Sequence, residues 1–204
     1  MTREEARKTL GYEPEIKYLL LSGGSIGAGK LTTALRTLVS YMSKREDIRL
    51  TVVCGNNEKL FRRLSVKYSD NNKLVILKST DKMAVYMKAC DCFIGKPGGL
   101  SSTEAAVTGT PLIHLAPIPG CETINAAFFA GLGMSLYVRK PRREIKSALI
   151  RIFDENYAKE MKNAQAKYIN RHAASDICDC VEELLRQSRK TDDNTEEQPS
   201  GVQA

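Results

Sequence analysis

Residues 95–125 read GKPGGLSSTEAAVTGTPLIHLAPIPGCETIN, and this stretch decides the fold. It follows a short apolar strand (91–94, DCFI) and opens on a Gly-rich turn, Lys96–Pro97–Gly98–Gly99. A helix to about Thr108 comes next, then a buried strand (111–115, PLIHL), a stiff Pro/Gly loop (116–120) and a helix starting near Cys121. A glycine turn that leads from a strand into a helix sets the helix's first N–H groups at the strand's carboxyl end. Those groups are unpaired and carry partial positive charge, so they favour an anion. Gly98 and Gly99 let a phosphate approach the backbone closely. Ser101, Ser102 and Thr103 add hydroxyls to the first turn. Glu104, one turn in, is better suited to accept hydrogen bonds from a diol such as a ribose than to touch a phosphate. A plain capped βα turn with a solvated glutamate has the same pattern, so the residues alone leave both readings open.

Outward from this stretch, strands and helices alternate. Residues 16–21 (IKYLLL) form an unbroken apolar run of the kind a buried parallel strand shows. The loop SGGSIGAGK (22–30) follows, then a helix to about Lys44 with Leu31, Ala34, Leu35 and Leu38 on one face. Further strands are expected at 48–54, 73–77 and 134–138, and helices at 2–10, 58–68, 82–89, 141–153, 155–170 and 175–188. Asp81 is expected to cap the helix at 82. Such alternation implies a parallel sheet with right-handed crossovers, here an α/β, Rossmann-like sheet of six strands with helices on both faces. Ligands of such sheets bind outside the carboxyl ends of the strands. The loops after the first, third, fourth and fifth strands share that rim. Gly23, Gly24, Ser25 and Gly27, then Lys78, Ser79 and Thr80, then Pro97 to Glu104, and finally 119–125 are therefore expected around one ligand.

The glycine loop admits a different reading, because Gly24-x-x-x-x-Gly29-Lys30 is one residue short of a nucleoside-triphosphate phosphate loop. Leu31 stands where a hydroxyl would bind magnesium, and Thr32 comes one place too late. No strand ends in a matching acidic residue. A P-loop NTPase is thus the weaker alternative to a loop that cradles phosphate with backbone alone.

The chain has 204 residues, enough for one domain with a real core. Residues 1–15 read as a lead-in helix and linker, 16–190 as the domain, and 191–204 as a polar, disordered tail. Lys and Arg number 31 against 24 Asp and Glu, for a net charge of +7. Asp192, Asp193, Glu196 and Glu197 lie in the tail, so the domain is more basic still. That balance suits nucleotide phosphates, anionic lipid or nucleic acid. No aromatic-interleaved basic stretch or nucleic-acid motif is present, so no nucleic-acid partner is expected. No apolar run reaches membrane-spanning length, no leader is apparent, and the six cysteines lack metal or redox spacing. They read as reduced thiols, mostly in the core, of a cytoplasmic protein. His114 reads as a packed strand histidine, and Lys96 as able to neutralise a phosphate or simply to sit in water.

The block KPGGLSSTEAAVTGTPLI followed by PIPGCETINAAFF resembles the C-terminal domain of glycosyltransferase family 28. The likeness is to the diacylglycerol glucosyltransferases and plant-type monogalactosyldiacylglycerol synthases, and it covers about Tyr18 to Leu185. The resemblance implies the C-terminal half of a two-domain GT-B enzyme that transfers a hexose from a UDP-sugar to a lipid hydroxyl with inversion. It implies no metal and no cofactor beyond the UDP-sugar substrate. It assigns Gly98, Gly99, Ser101 and Ser102 to the pyrophosphate and Glu104 to the ribose. The backbone of Lys78–Thr80 would meet the uracil, and the 23–27 loop would face the pyrophosphate. Glu122 and Asn125, after Gly120, would hold the sugar, with Cys121 standing where relatives carry glutamine. The lipid acceptor and the general base would come through an N-terminal domain, excised or separate, and the full enzyme would sit peripherally on the cytoplasmic membrane face. A non-catalytic nucleotide-sugar-binding subunit is the remaining alternative.

Overall fold

The computed structural model describes residues 1–24, 31–117 and 120–196. Among the described residues there are six strands: β1 (Lys17–Ser22), β2 (Ile48–Val53), β3 (Leu74–Leu77), β4 (Cys92–Gly95), β5 (Leu112–Leu115) and β6 (Leu136–Val138). All pair in parallel, in the order β3-β2-β1-β4-β5-β6. The helices are α1 (Arg3–Thr9), α2 (Leu31–Met42), α3 (Glu58–Lys67), α4 (Met83–Ala89), α5 (Gly99–Thr108), α6 (Cys121–Gly131), α7 (Pro141–Ile152), α8 (Glu155–Tyr168) and α9 (Ala173–Glu196).

Side chains alternate across a strand, so the apolar runs bury residues on both faces of the sheet. Leu19 and Leu21 pack with Leu35 and Leu38 of α2, Leu60 and Leu64 of α3, and Ile145 and Leu149 of α7. On the opposite face Leu20 and Phe93 pack with Met87 of α4, Ala105 and Ala106 of α5, and Phe129 of α6. Each fully buried leucine contributes about 2 kcal/mol of transfer free energy. The chain thus winds outward from β1 to β3 on one face, crosses back through α4, and winds from β4 to β6 on the other.

Three helix starts carry the side-chain caps that sequence rules favour. Thr2 and Glu5 form a capping box on α1. Asn57 caps α3 by accepting the Leu60 N–H at 2.9 Å, and Asp154 caps α8 through the Tyr157 N–H at 2.8 Å. The expected Asp81 cap is not formed. Lys82 stands at the N-cap of α4, and the Thr80 hydroxyl accepts the Lys82 N–H at 3.0 Å. The hydroxyl two residues back closes a local turn first, which moves the helix start past the aspartate.

The chain divides into two units, Met1–Ile169 and Asn170–Ala204. In the second, Asn170 donates to Asp176 at 2.6 Å, and α9 runs to Glu196, beyond the end at Ser188 and the disordered stretch from Thr191 read from the sequence. No proline or glycine intervenes before Pro199, so nothing in that segment breaks the helix. The rest of the expected tail, 197–204, lies outside the described residues.

Candidate functional site

Because the chain leaves β1 in one direction and β4 in the other, the switch in strand order falls between these two strands. Ser22, Gly95 and His114 stand level across β1, β4 and β5 in the ladder. The three loops that follow therefore leave the sheet side by side.

Side-chain contacts tie these loops together. The Lys96 ammonium bonds a Glu122 carboxylate oxygen at 2.7 Å, joining the turn after β4 to the first turn of α6. Asn125 donates to the Pro97 carbonyl at 3.1 Å. Gly24, after β1, sits against the Lys96 stem with φ of 71°, and a Cβ there would lie 2.8 Å from Lys96 Cε. Gly24→Ala is thus doubly opposed, by left-handed backbone and by a lysine whose ammonium is already engaged. The strain costs about 1–2 kcal/mol, and thermal unfolding should show that loss, with Gly98→Ala as a control that keeps negative φ.

At the start of α5, Gly98 is the N-cap, and its own N–H goes to the Lys96 carbonyl at 2.8 Å. The Ser102 N–H bonds the Gly98 carbonyl at 3.1 Å. The N–H groups of Gly99, Leu100 and Ser101 precede that first helical bond and point out of the helix end. Glu104 is exposed one turn further on.

The helix begins two residues before Ser101, and this changes the reading of Ser102. Its side chain is 0% exposed, and its hydroxyl meets His114 Nε2 at 2.9 Å. With N–H and hydroxyl both engaged, Ser102 positions the helix end and is not a pyrophosphate contact through its side chain. His114 is also 0% exposed, and its Nδ1 meets the Ser135 hydroxyl at 3.1 Å. The ring packs edge-on to Phe129. Burial pushes the imidazole down to about 4, so it is neutral and links α5, β5 and the approach to β6.

That depression sets a pH dependence. The unfolded chain binds a proton at His114 near pH 6.5, whereas the folded chain resists it until about 4. Stability from this group is complete above 6.5 and falls as the pH drops toward 4, by about 3 kcal/mol in all. Denaturant unfolding of wild type and His114→Gln between pH 7 and 4 should show a steeper decline for wild type.

Lys78, Ser79 and Thr80 stand on the same rim but follow β3, the edge strand, two strands (roughly 10 Å) from β1. Lys78 is paired with Glu58 of α3 at 2.5 Å. The site brings together Gly23, Gly24, Pro97 to Ser101, Gly120, Glu122 and Asn125, with the 78–80 loop set apart. Ser25, Gly27 and Pro119, with the rest of the near-P-loop, lie outside the described residues. Sequence reasoning missed the Lys96–Glu122 pair and the Ser102–His114–Ser135 chain, because both join residues from separate elements.

Comparison with known proteins gives a consistent result. The family model described as "Glycosyltransferase family 28 C-terminal domain" matches residues 18–184. A processive diacylglycerol beta-glucosyltransferase of Bacillus licheniformis is 29% identical over 195 residues, covering 94% of this chain and 50% of the relative. One of the same name from Bacillus subtilis is 30% identical over 182 residues, covering 89% and 46%. The chain spans about half the length of the curated relatives it matches. Among solved structures, Acinetobacter baumannii MurG superposes with a TM-score of 0.70 at 20% identity, covering 90% of this chain and 53% of that one. The calicheamicin glycosyltransferase CalG4 gives 0.71 at 15% identity, covering 86% and 45%. A Staphylococcus aureus MnaA–UDP co-structure gives 0.68 at 14% identity, covering 89% and 48%. These likenesses establish a GT-B-type half, six parallel strands flanked by helices.

Proposed function

Because the chain belongs to the glycosyltransferase family 28 C-terminal domains, we propose that it is the donor-binding half of an inverting hexosyltransferase that uses a UDP-sugar and a lipid acceptor such as diacylglycerol. The observation that carries this reading is the convergence of three loops on the free N–H groups of α5. The pyrophosphate lies against the N–H groups of Gly99, Leu100 and Ser101, where the helix end offsets negative charge. Gly24 leaves room on the β1 side. Glu104 accepts the ribose hydroxyls, and Glu122 and Asn125 take hydroxyls of the hexose. The backbone at 78–80 borders the uracil.

During transfer the sugar–phosphate bond breaks and the UDP diphosphate gains charge. Fixed N–H groups and the Lys96 ammonium stabilise that charge without rearranging as it develops. With these groups in place, no metal and no cofactor beyond the UDP-sugar is needed. The acceptor hydroxyl and the general base belong to the other half of such a protein, which works at the cytoplasmic membrane face. Support for the lipid class comes from the names of the Bacillus relatives. No helix among the described residues is long and apolar enough to cross a membrane.

A thermal-unfolding panel tests this reading. UDP-glucose and UDP-galactose, at a hundredfold excess over Kd and with EDTA present, should stabilise the protein by about 2.7 kcal/mol. Compared at equal concentration with UDP itself, the UDP-hexose that stabilises most names the donor. Stabilisation by ATP with magnesium, and none by UDP-sugars, would instead favour a phosphate-loop NTPase.

A further inference from the structure

A cavity of about 780 Å³ opens at the end of the sheet opposite the candidate donor site. Lys17 is the first residue of β1, Asp91 directly precedes β4, and Pro111 directly precedes β5, so the amino ends of the strands form its floor. α1, the end of α7 and the first turns of α8 form its walls.

Its charge is out of balance. Arg3, Arg7, Lys8, Lys17, Lys159 and Lys162 line it against Glu4, Asp91 and Glu155. Asp91 is already engaged, by Arg3 at 2.7 Å, Arg7 at 3.3 Å, Lys17 at 4.0 Å and the Tyr18 backbone N–H at 2.8 Å. Glu4 and Glu155 are exposed. Lys162 is partly buried, and no carboxylate among the described residues pairs with it. Its ammonium is pushed below the ordinary lysine range, first by burial and then by the Arg3 guanidinium. Cations gathered over an apolar wall, here Ile152 and Phe153, focus their field on an incoming anion.

We propose that this cavity is a second anion site, separate from the donor loops, which takes a phosphate group on Lys8, Lys159 and Lys162 above the Arg3–Asp91–Arg7 platform. A phosphate offers three outer oxygens, so each ammonium can find its own, whereas a carboxylate offers two. The volume far exceeds one phosphate, and Ile152 and Phe153 leave an apolar wall for the organic group that carries it. That group belongs either to a soluble phosphate ester or to a lipid headgroup.

Two probes separate these sources: inorganic phosphate, followed by phosphorus NMR line width, and phosphatidylcholine vesicles containing phosphatidylglycerol, followed by co-sedimentation. Both are applied to wild type, to Lys159→Gln/Lys162→Gln and to Lys59→Gln/Lys67→Gln, a charge-matched control at exposed positions of α3. Phosphate binding should weaken at least tenfold in the first double variant and stay unchanged in the control. A parallel loss of vesicle binding assigns a lipid headgroup, and loss with phosphate alone assigns a soluble ester. Should the first double variant unfold, Lys159→Gln, at an exposed position, carries the same test. The proposal is overturned if neither probe binds, or if both bind the Lys159 and Lys162 variants as they bind wild type.

Discussion

Glu104→Ala is expected to lower affinity for UDP by about two orders of magnitude and to leave unfolding unchanged. The side chain is exposed and accepts no bond that holds the fold, so its loss costs no packing. On the proposed reading it accepts two ribose hydroxyls in the complex. Hydrogen bonds to a charged group contribute about 1.5–3 kcal/mol each, and every 1.4 kcal/mol is tenfold in Kd. Glu104→Gln keeps an acceptor but loses the charge, and should fall between. A ribose-modified ligand makes the test specific: 2′-deoxy-UDP should bind wild type more weakly than UDP does, and the two should differ little in Glu104→Ala. An equal penalty for the deoxy ligand in both proteins would remove Glu104 from the ribose.

The second large effect is on stability. Asp91→Ala should destabilise the protein by about 3 kcal/mol or more, because it strands cations that the carboxylate now gathers. Arg3 and Arg7 approach its two oxygens, the Tyr18 N–H bonds one of them, and the side chain is 11% exposed. Arg7 also donates to the Glu13 and Ile16 carbonyls, at 2.6 and 2.9 Å, so the arginine cannot simply swing into solvent. The network anchors α1 and the start of β1 to the start of β4. Asp91→Asn keeps an acceptor for the Tyr18 N–H and should recover part of the loss. Urea unfolding at low and high salt separates the charge effect, since added salt screens the stranded cations and should soften the penalty in Asp91→Ala.

Much of the fold was legible because its strands are continuous apolar runs. Tyr18 to Ser22 and Leu50 to Val53 are buried on both faces, as a parallel sheet requires. The errors lie at element ends, where side-chain bonds decide. β4 starts at Cys92: the Asp91 N–H bonds the Tyr18 carbonyl at 2.7 Å, but the Tyr18 N–H goes to the Asp91 carboxylate, so a side chain takes the first bond of the ladder. The strand expected from Met134 shrinks to Leu136–Val138. The Met134 carbonyl bonds buried Gln165, and the Ser135 hydroxyl bonds His114, so both residues are held by side chains ahead of the ladder.

The site was legible where its chemistry is contiguous. The turn at 96–99 and the helix after it carry the proposed anion-binding end in one short stretch. What could not be read is which groups remain available. Ser102 looks like a second phosphate hydroxyl until the helix is seen to start at Gly99, which turns Ser102 inward onto His114. Lys96 lies in the turn after β4 and Glu122 in the first turn of α6, and only the packing of β4 beside β5 brings them within bonding distance.

The most direct test is an amide-resolved NMR titration of the 204-residue chain with UDP in the presence of EDTA. Donor binding at the helix end should give saturable shifts concentrated at Gly99, Leu100, Ser101 and Glu104, with Gly24 and Asn125 responding beside them. Shifts confined to Arg3, Lys17 and Lys162 at the far end of the sheet, or none at all, would contradict a donor site there.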